Sequence, residues 1–182
     1  MPDAGEGLGQ SLAAELVKVL TARGKMIAVA ESCTAGLVAD TIARFPGASA
    51  VLWGSYVTYT ADAKTRMLGV PKGLIEEYGA VSRPVALAMA EGALERSGAS
   101  WAVSVTGLAG PGGEGVPVGT VWIGFAGPSR EGARVKPWAG PLRSEAKRFL
   151  FKGSRNEVRL AAATAALEEL LSKILTAEEF LV

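Results

Sequence analysis

The chain has 182 residues, of which 49% are apolar and 20% charged, which is typical of one globular domain with a hydrophobic core. Its formal net charge of +1 provides no overall field toward nucleic acid or a membrane surface. A single cysteine, Cys33, excludes an internal disulfide, and the absence of histidine excludes Ser-His-Asp triads, Cys-His pairs and histidine metal sites. Any catalytic base must be a carboxylate, a lysine, a tyrosine or a bound water, and we expect no metal and no cofactor.

The ends of the chain show no targeting pattern. Residues 1–10 are acidic and glycine-rich and lack the charged and apolar regions of a signal peptide. No apolar run reaches the roughly 20 residues of a membrane span. We therefore expect a cytoplasmic protein with a flexible tail at 1–9, a single domain at 10–176 and a second tail at 177–182.

The first half of the chain alternates helical and extended patterns. Leu12, Leu16 and Leu20 recur at helical spacing before Gly24, which is typical of a helix with a glycine stop. In chain order we predict a helix at 11–23, a strand at 26–30, a helix at 37–45, a strand at 50–59, a short helix at 62–68 and a helical turn at 71–79.

The second half continues this alternation. Ser82 is placed to cap the next helix, and Pro137 marks its segment as an edge strand or a poor strand. We predict a helix at 83–97, a strand at 101–106, a glycine-rich loop at 107–117, strands at 118–125 and 133–139, and helices at 145–150 and 156–175.

This order predicts an α/β protein, a three-layer α/β/α sandwich with a mixed, mostly parallel sheet of about five strands. The strands at 101–106 and 118–125 are joined by a loop too short for a crossover helix. We therefore expect these two strands to run antiparallel.

The turn after the first strand is the first candidate site. It places Ser32 at the carboxyl edge of the sheet, before a helix whose free N–H groups can stabilise an oxyanion. Ser32 and Thr34 are also favoured helix caps, and capping alone would explain them. Cys33 is a rival nucleophile, or a small buried apolar residue.

Tyr59 and Lys64 follow the second strand. If that strand lies parallel to the first, its carboxyl end is near Ser32. A lysine acts as a base only when neutral, which requires burial or nearby positive charge, and a neighbouring tyrosine can assist it. The alternative is a solvated Lys64 on a helix where Asp62 and Arg66 form an (i, i+4) pair.

The glycine-rich loop, beginning at Thr106 and Gly107, could approach a phosphate or an amide closely. It matches neither the P-loop nor the dinucleotide-binding pattern, and it could equally be a hairpin loop. Basic residues then cluster near the C-terminal helix, and Arg155 and Arg159 share one helical face. Such a pair can hold a phosphate, or it can be part of a solvated basic face. The cluster comprises Arg143, Lys147, Arg148, Lys152, Arg155 and Arg159.

Taken together, these segments resemble the family of CinA C-terminal domains, which includes stand-alone nicotinamide-nucleotide amidases. The resemblance rests on AESCTAG at 30–36, YVTY at 56–59, AK at 63–64, LGV at 68–70, GAVS at 79–82, MAEGA at 89–93, VTGLAGPGG at 105–113 and PVGTVW at 117–122.

The resemblance implies an α/β/α sandwich that deamidates nicotinamide mononucleotide to nicotinic acid mononucleotide and ammonia. The family is metal-independent and usually dimeric, so we expect a homodimer acting on a small nucleotide, without nucleic-acid or membrane partners. It implies Ser32 as nucleophile, Lys64 as base and Tyr59 as assistant. The expected substrate-binding residues are Cys33, Thr34, Ala35, Gly36, Thr106, Gly107, Ala109, Gly110, Arg155 and Arg159.

Three positions depart from the family pattern. Ala61 stands where asparagine is common, Ser154 where aspartate is common and Ala35 where the first of two glycines is common. Two alternatives therefore stay open: a nucleotide-binding module without turnover, or an amidase for another carboxamide.

Overall fold

Five strands form one sheet in the computed structural model, which describes residues 4–112, 115–127 and 143–176. They are β1 (Ile27–Glu31), β2 (Leu52–Val57), β3 (Trp101–Gly107), β4 (Thr120–Gly127) and β5 (Arg143–Leu150). Their spatial order is β2-β1-β3-β4-β5. β1 pairs in parallel with β2 and β3, and β4 pairs antiparallel with β3 and β5. Only β4 among these described strands is reversed, which confirms the mixed, mostly parallel sheet.

Six α-helices are described around the sheet. They are α1 (Ala4–Arg23), α2 (Leu37–Ala43), α3 (Ala61–Leu68), α4 (Lys72–Tyr78), α5 (Arg83–Ser97) and α6 (Arg155–Thr176). The side chains of β1 alternate between two hydrophobic clusters because successive strand residues point to opposite faces. Ile27 and Val29 join the cluster of α1, α2 and α6, whereas Ala28 and Ala30 join that of α3 and α5. The three-layer sandwich is confirmed.

Two predicted helices begin or end at other residues in the structure, and the predicted cap of a third is not formed. α1 begins at Ala4, so much of the predicted tail at 1–9 is helical, and the predicted tail at 177–182 lies outside the described residues. α2 ends at Ala43, two residues before the predicted end. Ser82 does occupy the N-cap position of α5, but its Oγ donates to the Gly79 carbonyl at 2.8 Å instead of capping the helix.

The predicted helix at 145–150 is wrong, because this segment forms most of the edge strand β5. Its Glu, Ala, Lys and Arg residues favour a helix in isolation. Pairing with β4 along the whole strand, from Arg143 to Leu150, overrides that preference. Charged residues are also what edge strands use to discourage further pairing. The strand predicted at 133–139 lies outside the described residues.

The sheet topology determines where the site forms. β1 lies between β2 and β3 and is parallel to both, so the carboxyl ends of these three strands share one edge. The antiparallel pairing predicted for the third and fourth strands is confirmed, and it brings the start of β4 to the same edge. Ser32, Thr58 and Gly107 lie at or just beyond these strand ends.

Candidate active site

Ser32 lies in the tight turn between β1 and α2. Its backbone N–H donates to the Val105 carbonyl at 2.9 Å, which extends the pairing of β1 with β3. The turn then requires left-handed backbone at Ala35 (φ 53°) and Gly36 (φ 97°). Glycine adopts this conformation without strain, whereas alanine does not. Ser32 is 7% exposed, and its hydroxyl therefore lies in a largely desolvated position.

Glu31 stabilises this turn through its side-chain carboxylate. Its carboxylate is fully buried and accepts the backbone N–H groups of Gly36 at 2.9 Å, Val38 at 3.1 Å and Ala39 at 3.1 Å. The Ser55 hydroxyl donates to it at 3.1 Å. A buried charge persists only when it is this well bonded, and the positive end of α2 favours an anion. This role of Glu31 was not predicted from the sequence. Its signal was an acidic residue ending an apolar strand directly before a helix.

Lys64 reaches the serine from α3. Its Nζ lies 2.8 Å from Ser32 Oγ and 2.8 Å from the Thr58 carbonyl oxygen. The side chain is 1% exposed, and this burial lowers the pKa of Lys64 to about 8, against a smaller opposing effect of Cys33. The structure thus brings Ser32 and Lys64 together, as the parallel pairing of β1 and β2 predicts.

The alternative interpretation of the Lys64 segment is half correct. Asp62 and Arg66 do form an (i, i+4) ion pair at 2.8 Å on the exposed surface of α3. Lys64 itself is not solvated, since it points inward from the same helix. The helix is oriented at its start by Thr60, whose hydroxyl accepts the Ala63 N–H at 3.1 Å. Ala61, the first residue of α3, is exposed.

Cys33 is poorly placed to act as a nucleophile. Burial raises the pKa of its thiol to about 11, so the thiol is neutral at physiological pH. Its Sγ lies so close to Gly107 that a Cβ there would meet it at 3.1 Å, and that Cβ would meet Val121 Cγ2 at 2.7 Å. Cys33 therefore packs as a small apolar residue, and Gly107 is required for the close approach.

Tyr59 is 53% exposed and is held by Arg155. Arg155 Nη2 donates to the Tyr59 hydroxyl oxygen at 2.5 Å, and Nη1 donates to the Gly110 carbonyl at 2.6 Å. The tyrosine is not hydrogen-bonded to Ser32 or Lys64 among the described contacts. Since its oxygen is the acceptor, its own proton remains available for donation.

Arg159 lies one turn further along α6 and reaches the serine turn. Its Nε donates to the Cys33 carbonyl at 3.1 Å and its Nη2 to the Thr34 carbonyl at 3.1 Å. Its Nη1 donates to Asn156 Oδ1 at 3.3 Å. The two arginines predicted to hold phosphate thus already bind protein acceptors.

At the start of α6, Ser154 accepts from the Glu157 N–H and its own N–H donates to the Glu157 carboxylate, a capping box that preserves the helix start without aspartate.

The glycine-rich loop packs closely against the start of β4, where the Leu108 N–H donates to the Thr120 carbonyl at 2.9 Å. The Thr106 hydroxyl donates to the Ala80 carbonyl at 2.8 Å, and Ala109 is buried. Gly110 has a φ of 81°, and a Cβ there would approach Val118 Cγ1 to 2.8 Å. Residues 113 and 114 of the predicted loop lie outside the described residues.

The rest of the basic cluster lies on β5 and in the connection that follows it. Arg143, Lys147 and Arg148 are on β5, where Lys147 pairs with Glu169, and Lys152 is exposed between β5 and α6. Within the described ranges, no group of three or more potential acidic or thiol ligands could hold a metal ion. No helix in those same ranges is both long and apolar enough to span a membrane.

The chain is thus an α/β/α sandwich protein with a buried serine–lysine pair at the carboxyl edge of a mixed sheet. Residues 9–174 match the sequence model of the CinA C-terminal domain, and the chain belongs to that family.

Relatives and solved structures agree with this assignment. A "CinA-like protein" of Chlorobaculum tepidum is 45% identical over 161 residues, covering 87% of this chain and 36% of that protein. This chain spans about a third of the length of such curated relatives. The competence/damage inducible protein CihA of Agrobacterium tumefaciens has a TM-score of 0.80 at 40% identity, over 91% of this chain and 95% of that one. The competence damage-inducible protein A of Klebsiella pneumoniae has a TM-score of 0.81 at 33% identity, over 92% and 97%.

Proposed function

We propose that this protein is a metal-independent amidohydrolase that deamidates nicotinamide mononucleotide through Ser32. The observation that supports the proposal most strongly is the 2.8 Å contact between Lys64 Nζ and Ser32 Oγ in a site from which solvent is largely excluded. A chain without histidine needs another base, and a buried lysine with a pKa of about 8 is neutral in roughly one molecule in ten at pH 7, far more often than an ordinary lysine. The choice of nucleotide substrate rests on the resemblance to the amidase members of the family.

In the proposed mechanism, neutral Lys64 takes the Ser32 proton. One of the N–H groups of Lys64 donates to the Thr58 carbonyl and holds the amine in place. Ser32 Oγ attacks the carboxamide carbon, and backbone N–H groups of the β1–α2 turn stabilise the oxyanion. Ammonia leaves after protonation, by Lys64 or with help from Tyr59. Water then attacks the acyl ester while Lys64 takes its proton, and Lys64 returns a proton to Ser32 Oγ as the ester bond breaks.

Arg155 is the better placed of the two arginines for the substrate's 5′-phosphate. It is exposed, and its guanidinium uses two of its five N–H groups on Tyr59 and Gly110. The other N–H groups of Arg155 can therefore donate to an incoming anion. The homodimer and the cytoplasmic location remain predictions from the resemblance and the sequence.

The test is ammonia release from nicotinamide mononucleotide in the presence of EDTA, with wild type and Ser32→Ala side by side. We expect release by wild type and a loss of at least 1,000-fold in Ser32→Ala, on the order of what removing a nucleophile costs. Activity that disappears with EDTA, or that persists in Ser32→Ala, would refute the mechanism. Binding of the nucleotide without product would instead identify a binding module.

A further inference from the structure

We propose that Arg159 is a positioning residue that orients the Cys33–Thr34 peptide so that the Thr34 N–H, with the Cys33 N–H beside it, forms the oxyanion hole of Ser32. This inference rests on the proposed acyl transfer at Ser32. It assigns Arg159 to the turn rather than to the substrate's phosphate.

Most backbone N–H groups from Ser32 to Ala39 have an acceptor, as buried N–H groups almost always do. The Ser32 N–H donates to Val105, Ala35 to Ser32 and Leu37 to Thr34. The remaining bonds all end on one carboxylate, because the N–H groups of Gly36, Val38 and Ala39 donate to Glu31.

Two N–H groups of the turn are left over. The Cys33 N–H lies against its own Sγ, which is a weak acceptor, and the Thr34 N–H has no acceptor in the described part of the chain. Thr34 is fully buried and Cys33 is 5% exposed. The oxyanion donors expected across Cys33–Gly36 therefore reduce to Cys33 and Thr34, because Ala35 and Gly36 are already engaged.

Arg159 fixes the direction of the Thr34 N–H. The Cys33 carbonyl and the Thr34 N–H belong to one planar trans peptide unit and point in opposite directions. Arg159 Nε holds that carbonyl at 3.1 Å, so it sets the direction in which the Thr34 N–H points. Arg159 Nη2 holds the next carbonyl, that of Thr34, at 3.1 Å, which prevents the neighbouring peptide from rotating.

The charge of Arg159 adds a second effect. A hydrogen bond from a guanidinium to a carbonyl polarises the whole amide, and polarised amides are stronger donors at their N–H. Arg159 is half-buried, so this effect is less screened than at a fully exposed site. Glu31 fixes the α2 side of the turn and Arg159 fixes the α6 side, leaving the two free donors between them.

The experiment compares Arg159→Met and Arg159→Lys with wild type, using Arg66→Met, an exposed arginine on α3, as a matched control. The first readout is acetylation of Ser32 by 4-nitrophenyl acetate, in which the acetyl group moves to Oγ, nitrophenolate leaves and Lys64 takes the proton. Mass spectrometry of the intact protein follows the acetyl group, and Ser32→Ala reports background. The second readout is ammonia release from nicotinamide mononucleotide and from nicotinamide riboside.

We expect both Arg159 variants to acetylate Ser32 at least tenfold more slowly and to lose kcat about equally on nucleotide and riboside, with the pH profile of acetylation unchanged. Arg159→Lys keeps the charge but not the paired donors, so it tests the proposal even where Arg159→Met folds poorly. Acetylation at the wild-type rate, or a KM increase confined to the nucleotide, would overturn it. If the Arg159 variants are acetylated more slowly but wild type turns over neither amide, the proposed substrate is wrong and the role of Arg159 stands. A wild-type protein that is not acetylated at Ser32 would overturn both.

Discussion

Burial of Lys64 makes the folded protein less stable whenever the amine is protonated. Its pKa is about 8 in the folded protein against 10.5 for an ordinary lysine. Below pH 8 both folded and unfolded chains carry the proton, so the desolvation cost is fully present. Between pH 8 and 10.5 the unfolded chain binds more protons than the folded one, and stability rises with pH.

Lys64→Met should therefore abolish activity and stabilise the protein at pH 7. The pKa shift sets an upper limit of roughly 3 kcal/mol, and loss of the hydrogen bonds to Ser32 and Thr58 offsets about 1–2 kcal/mol of it. We expect a net gain of about 1–2 kcal/mol at pH 7 that shrinks by pH 10, measured by urea unfolding at both values. Lys72→Met, at an exposed lysine, is the control and should show no such trend. If Lys64→Met were less stable than wild type at pH 7, the hydrogen bonds of the buried ammonium would outweigh its desolvation cost.

Residue types made Ser32 and Lys64 candidates, with a helix cap and a solvated lysine as alternatives, and the family resemblance predicted their roles. Residue types did not indicate what the surrounding residues do. Glu31 and Arg159 both act on backbone groups: the position of Glu31 at the end of an apolar strand was a weak signal, and the contacts of Arg159 leave no pattern in the sequence. Arg159 lies 126 residues from Cys33, so their contact depends on the packing of α6 against the turn. The sequence offered an arginine pair, for which phosphate binding and a solvated basic face were the available interpretations.

At the scale of elements, the β1–α2 turn stores strain in one residue. Ala35 has a φ of 53°, where an L side chain costs roughly 1–2 kcal/mol, and the following Gly36 has a φ of 97°. The family pattern commonly has glycine at both positions, so this chain tolerates a less favourable turn.

Ala35→Gly should relieve that strain. The greater freedom of glycine in the unfolded chain opposes the gain by about 0.4–1 kcal/mol, which leaves roughly 0.5–1 kcal/mol of stabilisation. Thermal unfolding should show a Tm increase of a few degrees. Gly36→Ala is the matched comparison and should lower the Tm. An unchanged or lower Tm for Ala35→Gly would mean that contacts of the alanine methyl group outweigh the strain.

β5 shows where element prediction from local sequence fails. Its residues favour a helix, and only the neighbouring β4 makes them a strand through pairing between distant segments. The buried strands β1 and β3 were predictable because their apolar runs are short and bounded by turn residues. The site is built on β1, β2 and β3, so the error at β5 did not affect its prediction.

At the scale of the whole molecule, the position of the site follows from the way two strands pair. Parallel pairing of β1 with β2 brings segments 32 residues apart together, and Lys64 meets Ser32 as a result. The α/β alternation and the β3–β4 hairpin were likewise predictable, because connection lengths restrict the topology. Side-chain directions at the site, such as that of Tyr59 toward Arg155, required the packed structure.

The most direct test of the account is to locate the acyl group during turnover of nicotinamide mononucleotide. The reaction is run at pH 9, where Lys64 is mostly neutral, and quenched with acid, which protonates the base and preserves the ester; the digested protein is then examined by mass spectrometry. We predict the nucleotide's acyl ester on Ser32 in wild type and none in Ser32→Ala. An acyl group on Cys33, or ammonia release by Ser32→Ala at the wild-type rate, would contradict the assignment of Ser32 as the nucleophile.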